Sequence, residues 1–176
     1  LIGCSTAGEI ATDGPDDSSV VVFALGGPGF SVLTNIAEGA SNDLRAAGAA
    51  SATRVAELDD RPHRVLLMFT DALAGDQQEI LRGVYGVVGA SIPLVGGCAG
   101  DDLQMRATFQ FHGTRVVRDA VVTAAIASDA PMGIGVRHGW TTTGDAMLVT
   151  RSEGSVVFEI DGRPALDVYL ERLQAP

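Results

Sequence analysis

The chain has 176 residues, 46% hydrophobic and 19% charged, which places it among globular chains and not disordered ones. Its formal net charge is -10 and no basic face is visible, which excludes a nucleic-acid partner. All 12 cationic residues are arginine, excluding Schiff-base lysine chemistry, and no apolar run approaches the roughly 18 residues of a membrane span.

The chain opens on LIGCSTAGEI, an apolar pair followed by a glycine-rich turn. Asp13, Asp16 and Asp17, around Gly14-Pro15, lack the spacing of a calcium loop and read as a solvated turn. Val20–Leu25, VVVFAL, reads as a buried strand. Gly26-Gly27-Pro28-Gly29 is a turn, and Ser31–Glu38 a paired strand. Ser41 reads as an N-cap. Leu44, Ala47, Ser51, Val55 and Leu58 then fall at helical spacing, which predicts a helix over Asn42–Leu58 with a face of small residues.

Val65–Thr70 is the clearest buried strand. Asp76 and Glu79 open a second helix, with the stripe Ile80, Leu81, Val84, Tyr85 and Val88. Ile92–Val95 is the next strand, ended by Gly96-Gly97. Strand, helix and strand within about 30 residues predict a parallel pair with a right-handed crossover. The remainder reads as β. Thr108–His112 and Thr114–Val117 form a hairpin about Gly113. Val121–Ala127, Met132–His138, Met147–Thr150 and Val156–Ile160 are further strands. Pro164 sits at the start of a last helix whose buried stripe is Ala165, Leu166, Tyr169, Leu170 and Leu173. The expected class is a mixed α/β fold with mixed sheets and three helices.

The opening phrase returns as LVGGCAGD over 94–101. Gly8-Glu9 falls on Gly100-Asp101, and Leu1-Ile2-Gly3 on Leu94-Val95-Gly96 with a one-residue gap. Such self-similarity predicts a duplicated β-α-β-β unit, with half-units over 1–63 and 64–176. The second copy has a strand and helix before it. An equivalent pair, roughly 30 residues, is therefore expected upstream of Leu1.

Glycine-rich strand ends let a backbone approach a ligand and aim N–H groups at it. Gly3, Gly8, Gly96, Gly97 and Gly100 supply that freedom at the two turns, and Cys4, Ser5, Thr6, Glu9, Cys98, Asp101 and Asp102 supply polar groups. The set suits a small polar ligand such as an amino acid. Arg137, His138 and Trp140 add a cation, an imidazole and the only tryptophan to a candidate pocket lining. Cys4, just after a strand, is the candidate nucleophile of a hydrolase or acyl-transfer enzyme, but the phrase lacks G-x-S-x-G spacing. His63, His112 and His138 match no zinc pattern. The expectation is a binding module and not an enzyme, in a reducing, cytoplasmic setting given two cysteines and no framework.

GCSTAGEI, GGCAGDD, FQFHGTRVVRDAVV, HGW and VFEIDGRPALDVY, in that order, resemble the FIST N-terminal domain, and the resemblance runs from Leu1 to Tyr169. It implies a sensory domain of bacterial, archaeal and eukaryotic signalling proteins that binds a small-molecule ligand, with amino acids proposed. It also implies a C-terminal FIST domain in the same chain. Some relatives are haem proteins that sense nitric oxide and partner histidine kinases or cyclic-di-GMP signalling proteins, and His112 or His138 would then be the axial ligand. The family's usual N-terminal strand and helix are lacking.

Overall fold

The computed structural model describes residues 1–16, 18–142 and 144–173. Asp17 of the acidic turn and the Leu173 side chain lie outside the described residues. The chain divides into two compact units, Leu1–Ile134 and a smaller one beginning at Gly135.

The first unit contains β1 (Ile2–Cys4), β2 (Glu9–Ala11), β3 (Gly14–Asp16), β4 (Phe30–Glu38), α1 (Leu44–Ala52), β5 (His63–Asp71), α2 (Gln77–Val88), β6 (Leu94–Ala99), β7 (Gln110–His112), β8 (Arg115–Val117) and β9 (Ala120–Ser128). Its main sheet has the order β4-β9-β5-β6. The β5–β6 pair is parallel, as the strand–helix–strand spacing predicts. β9 lies antiparallel between β4 and β5. It is one of the two interior strands, paired on both edges, and its nine residues are almost all buried and uncharged. β1, β7 and β8 form a second sheet, with the expected turn at Gly113, and β2 pairs β3 as a hairpin.

Both helices contribute to one core with the sheet, through Ala47, Ala52, Leu66, Met68, Ile80, Val84, Val121 and Ala125. Their contact is unusually close. A Cβ added at Gly48 would lie 2.1 Å from the Ile80 carbonyl oxygen, and one at Gly83 would lie 2.0 Å from that of Arg45. Bare glycine on each helix therefore admits the backbone of the other. Asn35 of β4 donates to the carbonyls of Ala50 and Ser51, and Thr123 of β9 donates to Ser51 at 2.7 Å. These bonds tie the end of α1 to β4 and β9.

Several elements depart from the sequence-based expectation. The first helix is shorter than Asn42–Leu58, being flanked by 3-10 turns at Ala40–Asn42 and Thr53–Glu57. Its N-cap is Asp43, not Ser41. The Ser41 amide and hydroxyl both donate to the Asp119 carboxylate at 2.7 Å. Val20–Leu25 forms no strand, and its large residues are 42–86% exposed. An apolar run becomes a buried strand only where another strand offers a free edge beside it, and here no ladder forms.

The second unit has β10 (Val149–Glu153), β11 (Val156–Ile160), β12 (Arg163–Pro164) and α3 (Ala165–Leu173), with the strands in one antiparallel sheet. Met132–His138 is not a strand. The third helix buries Val168, while Leu166 and Tyr169 are exposed. The expected stripe is therefore corrected: Leu166, Tyr169 and Leu170 are exposed, and Val168, which it left out, is the buried residue. Among the described residues, no helix is long and apolar enough to cross a membrane.

Candidate functional site

β6 does not end at Gly96-Gly97, as the glycines suggested, but runs to Ala99. Gly96 takes φ 142° opposite Met68, where an added Cβ would lie 1.8 Å from the Met68 carbonyl oxygen. Two backbones thus touch where a side chain would part them. β6 is at the edge of the sheet, and Gly96, Gly97 and Cys98 are exposed. A cleft of about 290 Å3 follows this edge. It is lined by Leu94–Cys98 of β6, Met68 and Thr70 of β5, and Gln77, Leu81 and Tyr85 of α2.

Beyond Ala99 the two glycine-rich turns meet. The Gly100 amide donates to the Ser5 carbonyl at 2.8 Å, and the Ser5 hydroxyl donates to the Gly100 carbonyl at 2.6 Å. Ser5 also exchanges bonds with Phe109: its amide donates to the Phe109 carbonyl at 2.8 Å, and its Oγ accepts the Phe109 amide at 2.9 Å. A Cβ on Gly100 would come within 2.9 Å of the Ala7 nitrogen, so glycine sets how closely the turns approach. Ser5 is thus a junction and not a free hydroxyl.

The other residues of the first turn are tied locally. Thr6 Oγ1 donates to the Glu9 carboxylate, and Glu9 also accepts from the Ser19 amide at 3.2 Å. The Thr6 bond first, then the Ser19 amide, holds the Glu9 carboxyl below its ordinary range. Gly3 packs against Phe111, and Gly8 takes φ 145°.

Cys4 is half-buried and Cys98 exposed, and both are free thiols. Burial, then the neighbouring Cys98 thiol, pushes the Cys4 thiol up. That is the opposite of the lowered pKa that activates a cysteine nucleophile. Thr70 Oγ1 donates to Cys98 Sγ at 3.3 Å.

A second cleft, of about 350 Å3, opens beside the junction. It is lined by Ser5, Asp101, Asp102, Gln104, Arg106, Ala107 and Phe109. Asp101 is drawn into its wall: Oδ1 accepts the Met105 amide at 3.0 Å, and Oδ2 accepts those of Arg106 and Ala107 at 2.6 and 3.1 Å. The Arg106 amide leads in holding this carboxyl below its ordinary range. In contrast, the Asp102 carboxylate and the Arg106 guanidinium make no hydrogen bond or ion pair among the described residues. Phe109 carries Arg118 over its ring at 4.5 Å. Arg106 and Phe109 were not singled out from sequence. Arg106 sits in an aperiodic stretch, where the only available signal was one arginine closely following two aspartates, and Phe109 was read only as part of the strand Thr108–His112 and the FQFHGTRVVRDAVV segment.

Arg137, His138 and Trp140 belong to the second unit, where they are exposed on a segment without regular structure; Trp140 is 86% exposed. Both clefts are formed by residues of the first unit. His112 pairs with Thr34 Oγ1 at 3.1 Å through Nε2, and His63 starts β5. Neither cleft is lined by a histidine. Among the described residues, no three of His, Cys, Asp or Glu converge to hold a metal ion.

A family model described as the FIST N domain matches residues 1–163. The chain is also 30% identical over 184 aligned positions to a protein of Methanocaldococcus jannaschii, MJ1623, itself described only as uncharacterized. That alignment covers 98% of this chain and 35% of the relative, so the chain spans about a third of the relative's length.

Proposed function

Since the chain belongs to the FIST N domain family of signal-transduction sensory domains, we propose that the cleft beside the paired turns is its sensing site for a small zwitterion of the amino-acid class. The observation that carries this reading is the pair of uncommitted opposite charges, Asp102 and Arg106, on one cleft of about 350 Å3. Arg106 would take the ligand carboxylate as a two-pronged partner, and Asp102 the ammonium. The volume lies at the small end of ligand sites, which favours a single amino acid over a larger molecule. Phe109 gives the ligand side chain an apolar surface. A signal arises if the ligand binds two conformations of the domain unequally. It would pass to the C-terminal FIST domain of a full-length chain in the cytoplasm, and from there to a histidine kinase or cyclic-di-GMP protein.

The test is a thermal-shift screen of the common amino acids, followed by calorimetric titration. A ligand at 100 times its Kd stabilises by about 2.7 kcal/mol. Arg106→Gln and Asp102→Asn should each weaken binding by roughly tenfold, the value of about 1.4 kcal/mol from one lost charged contact. Binding untouched by both substitutions would remove the site from this cleft, and a flat panel would remove the ligand class.

A further inference from the structure

The wall of that cleft is a loop closed on one residue. Gly100 enters it bonded to Ser5, and Phe109 leaves it bonded to Ser5 again. Between these anchors Asp102, Leu103 and Met105 all take left-handed backbone, with φ 57°, 59° and 53°. An aspartate accepts that conformation readily, but leucine and methionine rarely do. Strain of this kind persists only where the surroundings hold it. Packing does not hold it here, because Leu103 is 84% and Met105 72% exposed. The bonds that hold the loop come from Asp101: its carboxylate accepts the amides of Met105, Arg106 and Ala107, and its carbonyl accepts the Gln104 amide at 3.2 Å.

We infer that the Asp101 carboxylate is a latch, and that the segment from Asp102 to Ala107 has a second, relaxed position reached when the latch opens. Asp101 is then a positioning residue: it fixes the backbone of Arg106 and so decides whether the guanidinium faces the cleft. Opening leaves both anchors on Ser5 in place and the sheet intact. A ligand that engages Arg106 would favour the latched position, which is a route from binding to conformation. That last step rests on the proposed function, and the latch itself does not.

Trypsin reads the latch without any ligand, since Arg106 lies inside the loop. The wild-type protein should resist cleavage after Arg106. Asp101→Asn, which leaves one carbonyl oxygen where two carboxylate oxygens stood, should be cut there roughly tenfold faster, because slow cleavage follows the open population. Asp13→Asn, an exposed acid outside the loop, should behave as wild type. Equal cleavage of wild type and Asp101→Asn, or an equal effect of Asp13→Asn, overturns the latch. If Asp101→Asn fails to fold, cuts will appear throughout, including within α1 and α2 at Arg45 and Arg82. Native-state amide exchange on the wild-type protein then decides. The amides of Met105, Arg106 and Ala107 should exchange together through an opening that dilute urea does not promote. Exchange only through global unfolding refutes a separate loop position. A flat amino-acid panel with positive cleavage and exchange results removes the ligand reading and leaves the latch standing.

Discussion

The contact between α1 and α2 makes a prediction whose sign is decided by geometry. Replacing Gly48 with alanine in an exposed helix would stabilise by about 1 kcal/mol, because alanine loses less backbone freedom. Here the new Cβ would sit 2.1 Å from the Ile80 carbonyl oxygen. Ordinary contact is about 3.5 Å or more, so the helices must part by about 1.4 Å locally. The neighbour is backbone, which cannot swing aside as a side chain would. Overpacking of a tight core costs about 1–3 kcal/mol, so the substitution should destabilise overall. Gly86, on the exposed face of α2, is the control: nothing lies within 4 Å of its added Cβ. Gly86→Ala should stabilise by about 1 kcal/mol or slightly less. Urea unfolding followed by circular dichroism measures both. A Gly48→Ala protein as stable as the wild type, with Gly86→Ala behaving as expected, would refute the close-contact reasoning.

Other consequences are open to direct measurement. Leu66, fully buried on β5, should cost about 2–5 kcal/mol when truncated to alanine, read from the shift in urea midpoint. The lowered carboxyl of Asp101 contributes stability that is complete above its ordinary unfolded value of about 3.9. Thermal midpoints of wild type and Asp101→Asn should therefore differ most at neutral pH and converge as pH falls through the lowered native value; divergence toward acid would contradict this. A maleimide pulse followed by mass spectrometry should label exposed Cys98 before Cys4, whose thiol is half-buried and pushed up by that burial. Faster labelling of Cys4 would mean that its environment activates it.

The parts legible in the sequence were those whose signal is local and periodic. Val65–Thr70, the helix capped by Asp76 and the run Val121–Ala127 carry strong apolar patterns, and each appears within a residue or two of its expected ends. The parallel β5–β6 pair followed from spacing alone. Gly96 misled because glycine marks a turn only when nothing else requires it. Here it permits two strands to touch, a requirement set by Met68, distant in sequence. VVVFAL misled because burial belongs to a pair of elements and not to one. Cys4, Ser5, Cys98, Gly100 and Asp101 were singled out from composition, and the structure joins the two turns through Ser5 and Gly100. The role of Ser5 as a double anchor was not readable, since Phe109 lies 104 residues away. Arg106 was missed for a related reason: an arginine becomes notable only when its neighbours leave it without a partner.

The exposed run Val20–Leu25 also bears on how this polypeptide behaves at concentration. Six consecutive uncharged residues, four of them valine or phenylalanine and none proline, are the composition of a self-stacking segment, and here they stand in solvent. The net charge of -10 repels whole molecules at long range, but salt removes that protection beyond about 10 Å at 0.1 M. Storage in high salt should therefore turn a clear solution turbid, and a single lysine placed at Val22 should keep it clear.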